Sequence, residues 1–144
     1  MDKIPRRPDL PPPLADWFAA RGWRPRPHQL AVLQRAWAGH SVLLTAPTGG
    51  GKTLAGFLPS LCDLMGDAGA AQRNDRLHTL YLSPLKALAV DVRRNLEAPI
   101  AEMAVPIRVE SRTGDTPQSR RQRQRRKPPH ILLTTPEQLA LLLS

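Results

Sequence analysis

The chain has a single cysteine, Cys62, in 144 residues, which excludes an internal disulfide and fits a reducing compartment. It also lacks any run of about 18 apolar residues, so no membrane-spanning helix is expected. Nor does it open like a secretory leader, since Met1 to Pro13 carries Arg6, Arg7 and five prolines where an apolar stretch would be needed. These absences make the cytoplasm the expected address. Acidic residues are scarce too: 21 lysines and arginines face 12 aspartates and glutamates, a formal charge of +9. That surplus favours a polyanionic partner, because each phosphate it neutralises releases condensed counterions. A merely soluble basic surface is the plainer alternative. The length suits one ordinary domain. An apolar fraction of 41 % allows a core, and 16 prolines should keep the helices short or bent.

Periodicity sets out the elements. Leu10, Leu14, Trp17 and Phe18 recur at helical spacing, with Gly22 as the stop. After Arg24-Pro25-Arg26-Pro27, a second helix shows Leu30, Leu33 and Trp37 on one face and ends at Gly39. Ser41 to Thr45 is short, apolar and bounded by glycines, the pattern of a buried strand. Leu54, Phe57, Leu58, Leu61 and Met65 then mark a helix that Pro59 should bend, and Gly66 to Asp75 reads as a polar loop. Further strands are expected at His78–Ser83, Pro106–Ser111 and Ile131–Thr134. Leu85, Leu88, Ala89, Val92 and Leu96 read as the helix that follows the first of these. Thr116-Pro117 should open the next, which Pro128 must end. Thr135-Pro136-Glu137-Gln138 has the makings of a capping box. Strands alternating with helices in this way predict an α/β domain built on a parallel sheet.

One segment carries specific chemistry. Ala46-Pro47-Thr48-Gly49-Gly50-Gly51-Lys52-Thr53 follows the phosphate-loop pattern G-x-x-x-x-G-K-[ST], with alanine in the first glycine's place. The glycines let backbone N–H groups converge on one anion, and the following helix adds the positive end of its dipole. Lys52 is the expected ligand of the β- and γ-phosphates, and the Thr53 hydroxyl the expected ligand of Mg²⁺. A flexible glycine turn with a chance Gly-Lys-Thr is the alternative, and the expected strand-loop-helix context argues against it.

These residues resemble motif I of superfamily 2 helicases, where alanine commonly opens the loop. Gly50 stands where many members have serine. Leu82-Ser83-Pro84-Leu85-Lys86-Ala87-Leu88 resembles motif Ia, and Arg112-Thr113-Gly114-Asp115-Thr116 resembles motif Ib. Leu133-Thr134-Thr135-Pro136-Glu137-Gln138-Leu139 resembles the nucleic-acid motif in its TTPE form. Pro27-His28-Gln29 falls where these enzymes place a glutamine that reads adenine. The wording is closest to the Lhr-type (large helicase-related) DNA helicases, including the ligase-associated DEXH-box group, from about Leu10 to Ser144.

The resemblance implies a RecA-like P-loop NTPase motor domain 1, incomplete at its C-terminal end. Residues 1–22 would be an N-terminal extension with a short helix, and 23–144 the first part of the ATP-binding domain. It implies an ATP- and Mg²⁺-dependent motor that tracks 3′ to 5′ on single-stranded DNA, with RNA or a DNA/RNA hybrid as other partners and repair proteins as associates. Gln29 would read adenine, while Ser83, Pro84, Lys86, Thr113, Gly114, Thr134 and Thr135 would hold backbone phosphates. Each has a plainer alternative. Gln29 could be a surface residue, Ser83-Pro84 a strand end, Thr113-Gly114-Asp115 a turn, and Thr135 chiefly a cap. Trp23 reads as core ahead of a stacking platform for a base. The arginine run from Arg120 to Lys127 reads as a solvated helix face ahead of a nucleic-acid patch.

No Asp-Glu-x-His or Asp-Glu-Ala-Asp box occurs in the chain. Family order would put it beyond Ser144, so negligible ATP hydrolysis is expected from these residues alone. In the family the strand before the phosphate loop is not the sheet neighbour of the strand before motif Ia. Exposed apolar faces and poor independent folding are therefore expected too. A nucleic-acid-binding protein with a non-hydrolytic P-loop is the alternative function. A P-loop ATPase of another class is disfavoured by Gln29 and the three downstream motifs.

Overall fold

Helix α1 (Pro12–Ala20) buries Leu14 and Phe18, one turn apart. It closes as a Schellman motif, in which the Trp23 N–H donates to the Phe18 carbonyl and the Gly22 N–H to that of Ala19, with Gly22 at φ 66°. Helix α2 (Pro27–Trp37) ends the same way, on Gly39 and the bonds His40 to Arg35 and Gly39 to Ala36. Both glycine stops are where the sequence put them. This is a computed structural model, and it describes residues 9–47, 49, 51–65 and 76–144. The polar loop expected at Gly66 to Asp75 lies outside those residues. The chain divides into two compact units, Met1–Gly66 and Asp67–Ser144.

In the first unit α2 packs against α3 (Lys52–Met65), and Leu33, Ala55, Leu58, Leu61 and Leu64 of these two helices are fully buried. Helix α3 continues through Pro59. Trp37, expected on the buried face of α2, sits instead at the rim, where its indole N–H donates to Asp63 at 3.2 Å. Gln29, Val32 and Leu33 take the buried positions. Ser41–Thr45 corrects the sequence reading more sharply. It pairs with no strand among the described residues, and Leu43 is 91 % exposed. Its composition suits a buried strand, but a strand exists only with a partner, and composition does not supply one.

The second unit is a parallel three-stranded sheet in the order β1-β3-β2, from β1 (Thr79–Leu82), β2 (Val109–Arg112) and β3 (Ile131–Thr134). The central strand β3 is buried at all four positions, as a strand covered on both faces must be. Helix α4 (Lys86–Glu102) lies on β2 and β3 and buries Ala89, Val92, Leu96 and Ile100. Leu85 and Leu88, read into this helix from the sequence, are exposed. The helix starts only at Lys86, with Leu85 extended as its cap, so the buried stripe begins at Ala89. Helix α4 ends on a non-glycine left-handed residue, Ala104 at φ 53°.

Helix α5 (Gln118–Arg126) joins β2 to β3, and α6 (Pro136–Leu143) follows β3. The cap of α5 is Pro117, while the Thr116 hydroxyl turns back to accept the Thr113 N–H at 2.9 Å. At α6, Thr135 is the cap and Pro136 the first residue, as expected, but no side-chain capping bond forms and Gln138 is buried. The capping box of the sequence reading is absent there. Half of one appears instead at α2, where Gln29 Oε1 accepts the Arg26 N–H at 2.8 Å.

Candidate nucleotide and nucleic-acid sites

The glycine loop runs into the start of α3. Among its described residues, Gly49 and Gly51 take φ 79° and 74°, the left-handed region that side chains resist. Thr48 and Gly50 lie outside the described residues. Gly51 O accepts the Ala55 N–H at 3.0 Å as the first bond of α3, and accepts Gln29 Nε2 at 3.3 Å. Arg26 Nη1 donates to Gly49 O at 3.3 Å. The start of α2 therefore grips the loop at two carbonyls, and the first-turn N–H groups of α3, like those of any helix, have no helical acceptors. Lys52 and Thr53 are exposed at that end, and Ala46 and Pro47 lead into it.

Gln29 is 3 % exposed, so it is not the surface residue of the plainer reading. Its amide spends one N–H on Gly51 and one lone pair on Arg26. One donor and one acceptor remain. Beside it lies a cavity of about 430 Å³ lined by Phe18, Trp23, Arg24, Arg26, Gly51 and Leu54, among others. That size suits a small organic ligand. Trp23 was expected in the core but is 53 % exposed and forms part of this wall. It meets Trp17 edge to face at 5.7 Å, and the Arg21 guanidinium lies 5.1 Å from its ring centroid. Sequence reasoning missed Arg26 and Arg24. Their only signal was their place in Arg24-Pro25-Arg26-Pro27, directly before the helix that carries Gln29.

In the second unit, the register brings three motifs together. Leu82 pairs with Thr134, and Arg112 pairs with Thr134, so the three parallel strands end level. Ser83, Thr135 and Thr113 therefore stand side by side across the sheet top, at the strand spacing of about 4.8 Å. Their side chains differ in what they can offer. Ser83 is buried, with its hydroxyl donating to Leu85 O and its N–H to Thr134 O, both at 3.0 Å. Thr134 is buried and donates to Arg112 O at 2.7 Å. These two hydroxyls are turned inward. Thr113 accepts the Asp115 N–H at 3.3 Å, closing the turn that presents Gly114. Lys86 opens α4 and pairs with Asp115, both largely exposed, while Pro84 is exposed beside it.

Arg121 was not foreseen. Its Nε donates to Thr116 O at 2.9 Å, and Nη2 reaches Thr113 O at 3.0 Å and Gly114 O at 3.3 Å. Arg120, Arg123, Arg125, Arg126 and Lys127 form the solvated face of the sequence reading, while the other side of α5 is held to the sheet by Gln124, buried and donating to Ser111 O at 3.2 Å. Arg121 and Gln124, three residues apart, share the side that bonds to the sheet end, a spacing that a charge-only view of the run hides.

Level parallel strands topped by turns, in a chain that also carries a left-handed glycine loop entering a helix, define a RecA-like nucleotide-binding motor fold. The chain belongs to the DEAD/DEAH box helicase family, whose model matches residues 26–144. It is 39 % identical to the ATP-dependent helicase Lhr-Core of Methanocaldococcus jannaschii, over 94 % of this chain and 17 % of the relative. To the Lhr helicase/uracil glycosylase of Escherichia coli it is 40 % identical, over 92 % of this chain and 10 % of the relative. Among solved structures, the Mycobacterium smegmatis helicase Lhr bound to ssDNA and AMP-PNP superposes with a TM-score of 0.81 at 38 % identity, over 93 % of this chain and 18 % of that one. The chain thus spans less than a fifth of the length of each of these three.

Proposed function

We propose that this chain is the nucleotide-gripping and strand-holding front of an ATP-driven helicase motor acting on single-stranded DNA. RNA and DNA/RNA hybrids are competing partners, to be ranked by competition. The observation that carries the reading is the double grip of α2 on the glycine loop through Gln29 and Arg26. It couples a base-reading amide to the backbone that would surround the phosphates. The donor and acceptor left on Gln29 are the pair that adenine complements with its N7 and its exocyclic amino group.

The residues fit the groups the family implies. A Cβ on Gly51 would lie 2.7 Å from Gln29 Nε2, so the loop tolerates only glycine where the backbone must come close. Lys52 and Thr53 are exposed at the helix start, where an anion is favoured. Lys52 would bind the terminal phosphates, and Thr53 would hold Mg²⁺, which would offset phosphate charge when bound. In the second unit, Lys86 and the Gly114 turn would hold strand phosphates together with the backbone at Thr135 and the Pro84 corner. Ser83, Thr113 and Thr134 would shape those turns through the bonds described above. Backbone and hydroxyl contacts of this kind hold phosphate without reading sequence. Such a motor would work in the cytoplasm beside DNA-repair proteins.

Displacement of a fluorescent ATP analogue tests the reading. ATP should compete about tenfold better than GTP, and Gln29→Ala should bring the two close to parity. Equal competition by ATP and GTP in the unmodified chain would remove the adenine-reading role and the proposal with it.

A further inference from the structure

Among the described residues, the guanidinium of Arg112 has no counter-charge. Arg112 is the last residue of β2, is 8 % exposed, and its Nε is buried with no hydrogen-bond partner. Strand alternation puts it on the same face as Glu110. That carboxylate is already committed to Arg123. What Arg112 faces is more positive charge: burial, then Arg121, then Arg125 each push its pKa below the usual arginine value. A guanidinium nonetheless keeps its proton in a protein. Arg121 and Arg125 are four residues apart and so share one side of α5, a helix with five arginines and no acid. The Gln124 bond to Ser111 O pins that helix to the strand.

A buried water could satisfy the Arg112 Nε, and could also serve Gln124 Oε1, which is buried without a partner. Water would not offset the positive charge that Arg121 and Arg125 set against the buried Arg112. An oxyanion would do both, and the planar fork of arginine suits two oxygens of one phosphate. The cluster adjoins the Thr113–Thr116 turn at the level end of the sheet, and Arg121 itself holds three carbonyls of that turn.

We propose that Arg112, Arg121 and Arg125 form an anion seat beneath the Thr113–Thr116 turn that takes a phosphodiester of the bound nucleic-acid strand. The inference rests on the strand-binding reading above and extends it from the motif Ib stretch that Arg112 opens to two residues of α5, Arg121 and Arg125, that lie outside the motifs.

The test is fluorescence anisotropy of labelled oligo-dT with the chain, over a series of salt concentrations. Arg112→Met should weaken binding about tenfold and flatten the salt slope by about 0.7, the share of one phosphate contact. Arg125→Met changes an exposed residue that cannot unfold the chain, and it should weaken binding severalfold. Arg126→Met removes the same charge from the same helix outside the cluster, and it should weaken binding less than about twofold. Removing a buried unpaired cation should leave the Arg112→Met unfolding temperature equal or higher, so weaker binding would not be a folding defect. If the unmodified chain binds and Arg112→Met matches it in affinity and slope, the seat is refuted while the strand-binding reading survives. If strand binding is unchanged but inorganic phosphate raises the unfolding temperature of the unmodified chain alone, the site takes an adventitious ion only, and the proposal falls. No strand binding by the unmodified chain overturns both.

Discussion

Gly51→Ala isolates the joint between the loop and Gln29. Gly51 sits at φ 74°, and an added Cβ would lie 2.7 Å from Gln29 Nε2. The left-handed backbone costs a non-glycine residue about 1–2 kcal/mol. The amide must then move, and its bond to Gly51 O is worth about 0.5–1.5 kcal/mol. Together these give a loss of about 1.5–3.5 kcal/mol in the unmodified background. Gly49→Ala is the control, since φ there is 79° but nothing lies within 4 Å of the added Cβ. Only the backbone part, about 1–2 kcal/mol, should appear. Urea unfolding followed by tryptophan fluorescence reads this out, because Trp17, Trp23 and Trp37 all lie in the first unit. In a Gln29→Ala background the amide is gone, and Gly51→Ala should cost about 1 kcal/mol less than before. An identical cost in both backgrounds would refute the contact. A cost well below that of Gly49→Ala would refute the left-handed geometry as well.

Three further outcomes follow from single residues. Ala104 is exposed at φ 53°, at the position where a Schellman motif favours glycine, with its N–H on Ala101 O at 3.1 Å. Ala104→Gly should therefore stabilise the second unit by about 1 kcal/mol in urea unfolding, and a loss of stability would contradict the cap. Cys62 is buried, and burial first, then Asp63, raises its thiol from 9.0 to about 12. Its raised pKa means that its contribution is complete below pH 9 and is lost between pH 9 and 12 as the unfolded thiol ionises. The stability difference between the unmodified chain and Cys62→Ala should shrink by about 1.4 kcal/mol per pH unit in that window, and a flat difference would refute the burial. With no Asp-Glu-x-His box in the chain, bound ATP should not turn over. Phosphate release at helicase-like rates that Lys52→Ala abolishes would overturn that expectation.

The readability of this chain divides along physical lines. Helix stops at Gly22 and Gly39 and the buried run of β3 are local properties, and periodicity exposed them. The phosphate loop was legible because its glycines and Lys52-Thr53 answer to one anion at fixed spacing. Ser41–Thr45 was misread because pairing depends on residues distant in sequence. Leu85 was read into the helix, but α4 starts at Lys86 with Leu85 extended as its cap, and a boundary is not set by the period. Arg121 and Arg112 hid within a charge run and a motif edge, since only the fold puts α5 above β2. The inward turn of Ser83 and Thr134 was equally invisible, because a hydroxyl's partner is a matter of rotamer and register.

Isothermal titration of the chain with magnesium and a non-hydrolysable ATP analogue tests the central claim most directly. The account predicts saturable one-to-one binding to the unmodified chain, weakened at least about tenfold by Lys52→Ala through loss of a charged contact to phosphate. Equal affinity in the two proteins, or no heat of binding in either at an intact circular-dichroism spectrum, would contradict it.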